Sequence, residues 1–137
     1  MHVKRDNLFR WLSVVLLLLN AAGAIPAGVL YIADPSGGKM GTTTALLQHS
    51  PFSNFLIPGI VLFLANGVCS LVALGLLISK HKAGAVAVLL QGAILCGWIA
   101  IQVYMLRMID ALHIIMFTVG VLLILSGVVM YRAKQTP

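Results

Sequence analysis

Apolar residues gather into four long runs, at 8–32, 55–79, 83–106 and 111–131, and the polar residues fall mostly between them. Arg10 is the only Lys, Arg, Asp or Glu inside any run. A hydrocarbon core of about 30 Å needs about 20 residues of helix, so each run is long enough to cross a bilayer. The pattern predicts an all-α membrane protein with one four-pass domain over 1–137. The turns at 80–82 and 107–110 are too short for anything but adjacent, antiparallel helices, which makes the expected architecture an up-down-up-down four-transmembrane-helix bundle. Its one sizeable elaboration is the loop at 33–54.

Charge sets the expected orientation. Lys4, Arg5, Arg10, Lys80, Lys82, Arg132 and Lys134 fall on one side of a four-pass chain, and only Lys39 and Arg107 on the other. The positive-inside rule then places both termini in the cytoplasm and the long loop outside. A cleavable signal peptide is the rival reading, because a basic start, the apolar stretch 11–19 and the small trio Ala22, Gly23, Ala24 fit one. Hydrophobicity continues past that trio through Ile32, too long for a signal core, and predicts a retained first helix.

Local chemistry sharpens the picture. Pro26 predicts a kink whose freed backbone groups face the bundle, since lipid cannot satisfy them. Asp34-Pro35-Ser36-Gly37-Gly38 has turn chemistry, and Thr42, Thr43 and Thr44 are expected to cap a short helical turn laying Ala45, Leu46 and Leu47 on the membrane surface. Pro58 falls in the first turns of the second helix, where proline is tolerated. Small residues spaced four to eight apart predict close packing: Ala24 with Gly28, Ala93 with Gly97, Gly59 with Gly67 and Gly75, and Gly120 with Gly127. Asn20 and Asn66, both near mid-membrane, are placed to bond to each other, and Gln91 and Gln102 are expected to face inward. Trp11, Tyr31, Trp98, Tyr104 and Tyr131 read as interfacial or bundle-filling aromatics.

Composition agrees: 61% hydrophobic, 9% charged and a mean hydropathy of +1.06 lie far from the soluble range. The net charge of +6 is scattered in short clusters at helix ends, without the basic face that nucleic acid would require. Cys69 and Cys96 lie inside runs with no Cys-x-x-Cys pair, so they read as small hydrophobes, not as a thiol oxidase centre. The three acids, Asp6, Asp34 and Asp110, all lie outside the runs, which argues against proton- or cation-coupled antiport. No acid and base are positioned for an intramembrane hydrolase or isomerase, and no cofactor motif is present.

Ionisable groups instead converge on the outward rim: Asp34 and His49 with Lys39 in the long loop, Arg107 and Asp110 in the short turn, and His113 at the start of the fourth helix. These are the candidate ligand- or partner-binding residues. Arg107 and Asp110 are three apart and spaced to pair, while His49, Asp110 and His113 are the one set that offers a metal its ligands, without a compact motif.

The segments Asp34-Pro35-Ser36-Gly37, Ser50-Pro51-Phe52, Phe55-Leu56-Ile57-Pro58-Gly59 and Trp98-Ile99 with Gln102 resemble, in order and spacing, a group of small, mostly uncharacterised bacterial four-helix membrane proteins. The resemblance covers nearly the whole chain. It implies a multi-pass protein of the bacterial cytoplasmic membrane and brings no biochemical activity with it. The expected function is therefore non-enzymatic: the rim binds a membrane lipid, a small apolar molecule or a partner membrane protein. A small oligomeric channel lined by Asn20, Asn66 and Gln102 is the alternative. An enzyme acting on lipid or quinone with His49 or His113 as base has least behind it.

Overall fold

The computed structural model describes residues 2–135. Four helices occupy the four apolar runs: α1 (His2–Ala33), α2 (Leu56–Ile78), α3 (Gly84–Leu106) and α4 (Ala111–Gln135). All four are long and apolar enough to cross a membrane, and no strand occurs among the described residues. Both end helices overrun the apolar runs, α1 back through Asp6 and Arg5 and α4 forward to Gln135. Neither extension contains Gly or Pro, so nothing in it breaks the helical hydrogen-bond pattern.

Pairs of touching residues fix how the helices run. Arg10 meets Leu77, Asn20 meets Ser70, and Gly28 meets Gly59 and Phe63, so α1 and α2 are antiparallel. Gly84 abuts Leu76 and Leu77, and Gln91 reaches Ala65, which sets α3 antiparallel to α2. Gly92 lies against Gly120 and Leu89 against Gly127, which does the same for α3 and α4. α4 also packs on α1 and closes the bundle around Leu17, Leu77, Val88, Leu95 and Leu123. One end of the bundle, the loop end, holds 33–55 and 107–110; the other, the terminal end, holds Arg10, the 79–83 turn and Lys134.

Small residues make the close approaches, but not all of those the spacing suggested. A Cβ on Gly28, Gly59, Gly67 or Gly127 would come within 2.7 Å of a neighbouring helix. Gly97 and Gly75, by contrast, have nothing within 4 Å of that position, and Ala93 is exposed. The expected Ala93 and Gly97 seam is thus replaced by Gly92, one residue away and so about 100° around the helix.

Two departures concern backbone hydrogen bonding. α2 is α-helical at Leu56–Val61 and Cys69–Ile78 but π-helical at Leu62–Val68. Pro26 lies within an uninterrupted α1, and its ring is exposed on the outside of the bundle, so the expectation that it turns inward is overturned. The inward stripe of α1 is instead set by Leu17, Asn20, Ala21, Ala24 and Gly28. Its 3.6-residue periodicity leaves residue 26 facing out.

Candidate functional site

The long loop folds onto the bundle. It contains two 3-10 turns, Gly38–Met40 and Thr44–Leu47, and its backbone is tied across by Phe55 N–H donating to the Pro35 carbonyl at 2.8 Å. Tyr31 and Phe55 stack with ring centroids 4.6 Å apart. Gly37 sits beneath them with φ of 84°, where a side chain would run into Thr42 and the Phe55 ring, so both the backbone and the space require glycine. The turn foreseen after the threonines exists, but no threonine side chain caps it, and Leu47 is buried against the bundle with 4% exposure instead of lying on the membrane surface.

Asp34 organises the first part of this loop. Its carboxylate accepts from Ser36 Oγ at 2.6 Å, from Ser36 N–H at 3.2 Å and from Lys39 N–H at 3.1 Å. These bonds, that from the Ser36 hydroxyl foremost, hold its pKa below the ordinary value of 3.8. An aspartate so engaged shapes the loop more than it offers itself to a ligand.

Of the five rim candidates, the structure joins Asp110 and His113. Asp110 Oδ1 accepts from His113 N–H, and His113 Nδ1 accepts from Asp110 N–H, each at 3.2 Å. This is a reciprocal cap on the start of α4, with histidine in the place usually taken by Glu or Gln. Nδ1 and Oδ1 also lie 3.4 Å apart. With Nδ1 accepting the backbone hydrogen, Nε2 is left as the N–H donor of the ring. Arg107 does not pair with Asp110. It closes α3 in the left-handed region, with φ of 57°, and its guanidinium lies 5.0 Å from the centroid of the Tyr104 ring. His49 is exposed, and among the described residues no three His, Cys, Asp or Glu side chains gather closely enough to hold a metal ion.

A second group of polar residues is buried halfway along the bundle. Asn20 Nδ2 donates to Ser70 Oγ at 2.9 Å and to the Asn66 carbonyl at 3.3 Å, and Gln91 Nε2 donates to the Ala65 carbonyl at 3.1 Å. Asn20 therefore bonds to the backbone of Asn66 and not to its amide. Two successive carbonyls of the π-helix are claimed by side chains from two other helices, which is how an irregular backbone is satisfied away from water. The Asn66 amide is wholly buried and finds no hydrogen-bond partner among the described residues, as is also true of Ser126 Oγ. Gln102 is half-buried outside this layer.

The outward face of α1 carries an apolar opening. Leu18, Ala21, Ala22, Ile25 and Pro26, with Leu71 of α2, line a shallow apolar groove of about 310 Å³. In an α-helix the Ala22 carbonyl would accept the N–H of residue 26, and proline has none. Ala22, one of the residues lining these apolar walls, thus has a carbonyl that lacks its usual helical donor. Pro26 was legible in the sequence; that it faces away from the bundle was not.

No protein-family profile, curated protein or solved structure matches this chain.

Proposed function

We propose that the chain is a non-enzymatic multi-pass protein of a bacterial cytoplasmic membrane that binds a lipid-like molecule in the groove beside Pro26. The topology in this reading is an up-down-up-down transmembrane bundle with both termini cytoplasmic. It rests on the seven-to-two distribution of Lys and Arg.

The observation that carries the proposal is the pairing of apolar walls with the Ala22 carbonyl. An exposed acceptor without its helical donor is costly in hydrocarbon, by about 1–3 kcal/mol. A ligand with an apolar body and a single hydroxyl or N–H group removes that cost, whereas a bare acyl chain does not. The rim plays a supporting part: the folded 33–55 loop holds the ends of α1 and α2 together, so the groove between them is largely preformed.

Two substitutions separate the groups involved. Pro26→Ala gives the Ala22 carbonyl an N–H donor without narrowing the groove, and Ala22→Leu fills the groove while leaving proline in place. Native mass spectrometry of the full chain extracted into lipid nanodiscs is expected to find a hydroxyl- or amide-bearing lipid retained by the parent protein and depleted in both variants. Retention at the parent level in both, or no retained molecule in the parent, refutes the reading.

The channel alternative receives less support. Asn20, Asn66 and Gln91 are all at or below 2% exposure, with Asn20 and Gln91 bonded to backbone, so a polar path through one copy is occupied by protein. A conduit would have to form between copies. For an enzyme acting at the loop end, His113 would have to serve as base while one ring nitrogen already caps α4.

A further inference from the structure

The terminal end of the bundle presents a different chemistry. Arg10 of α1 crosses to α2 and donates through Nη2 to the carbonyls of Leu77 and Ile78, the latter at 3.2 Å. Lys134 of α4 donates to the His81 and Lys82 carbonyls at 3.5 and 3.4 Å. Lys80 closes α2 in the left-handed region with φ of 57°. These three cations, with Asp6, His81 and the apolar Leu77 and Met130, line a cavity of about 30 Å³.

We infer that this cavity is a binding site for a phosphate group. Three cations and one carboxylate face it, and among the described residues no carboxylate lies within ion-pair distance of Arg10, Lys80 or Lys134. Arg10 spends Nη2 on carbonyls and retains the hydrogens of Nη1 and Nε, a planar donor array that suits phosphate oxygens. Gly84 and Ala85, the first residues of α3, form part of the wall, so the positive end of that helix dipole offsets the negative end of α2, whose last carbonyls Arg10 covers. The cavity has room for the oxygens of one phosphate and none for a nucleotide.

Two simpler accounts leave part of this arrangement unexplained. Capping of the α2 C-terminus accounts for Arg10 and for the Lys80 backbone N–H, which donates to the Leu77 carbonyl, but for nothing at the Lys80 ammonium, which makes no hydrogen bond to another described residue. The positive-inside rule accounts for basic residues on this side of a membrane, but not for three of them, from three separate segments, converging on one hole. A basic cavity between helix ends at headgroup depth is the arrangement that takes a lipid phosphate, and free phosphate offers the same oxygens. The site is independent of the apolar groove, which lies further along α1 on its outer face.

The test uses the full chain in a neutral maltoside detergent, with thermal unfolding followed at constant ionic strength. One arm titrates inorganic phosphate against chloride; the other titrates short-chain phosphatidylglycerol against short-chain phosphatidylcholine. A saturable rise in Tm with phosphate assigns the site to the free anion, and a saturable rise with phosphatidylglycerol alone assigns it to a lipid headgroup. Lys80→Asn, a residue type suited to the left-handed backbone there, is expected to weaken the apparent affinity about tenfold, the worth of one charge-assisted hydrogen bond. Asp6→Asn should strengthen it, and Lys39→Asn at the opposite end should leave it unchanged. No saturable shift with either probe overturns the inference, as does a Lys39→Asn loss equal to that of Lys80→Asn.

Discussion

Replacing Gly92 by alanine adds one methyl group where α3 and α4 touch backbone to backbone. The new Cβ would lie 2.6 Å from the Gly120 carbonyl oxygen and 2.7 Å from Ile124 N, both main-chain atoms that no rotamer change can move. Ordinary contact needs about 3.3 Å or more, so the helices must separate by roughly 0.7 Å along a seam that also includes Gly127. Overpacking of this kind costs about 1–3 kcal/mol, set against a gain of up to about 1 kcal/mol from alanine's better helix propensity. Gly97→Ala is the matched control, on the same helix, with nothing within 4 Å of its Cβ position. Propensity enters both variants equally and cancels in their difference, even where the denatured state keeps residual helix. Reversible unfolding in mixed detergent micelles should therefore place Gly92→Ala below Gly97→Ala by about 1–3 kcal/mol. Equal stability of the two, or the reverse order, would refute the claim that packing at this seam depends on the missing Cβ.

Gln91→Leu keeps the volume but takes the donor from the Ala65 carbonyl, and should cost about 1 kcal/mol in the same assay while speeding amide exchange across Leu62–Val68. Stability at or above the parent's would show that the π-helix does not rely on Gln91. For Asp34, the folded pKa is lowered, so its contribution is complete above the ordinary value of 3.8 and is lost as pH falls through the lower folded value. Protease cleavage within the 34–42 loop should thus stay constant from neutral pH down to about pH 4 and rise only below it, with the rise absent in Asp34→Asn. Onset above pH 5, or the same onset in the variant, would contradict this assignment.

Rim chemistry was only partly legible in the sequence, and particular residues show why. Asp110 and His113 lie three apart, a spacing that brings groups together on a helix, but the structure joins them as a helix cap and not with His49 as a metal site. Arg107 has the same spacing from Asp110, yet its left-handed backbone turns it back toward Tyr104. The basic cavity at the terminal end could not be read at all, since Asp6, Arg10, Lys80 and Lys134 are brought together only by the antiparallel course of four helices.

What the sequence by itself determined is whatever depends on length and composition: four helices long and apolar enough to cross a membrane, the turns too short to separate neighbours, and the glycine-dependent bend at 37. Tertiary structure decided which side of each helix faces inward. A one-residue error in register rotates a face by about 100°, enough to exchange Ala93 for Gly92 at the α3 seam and to turn Pro26 from the bundle to the outside. It also decided the π-helix. The extra residue in that turn is affordable only where Asn20 and Gln91, 46 and 26 residues away in the chain, supply hydrogen bonds to the displaced carbonyls.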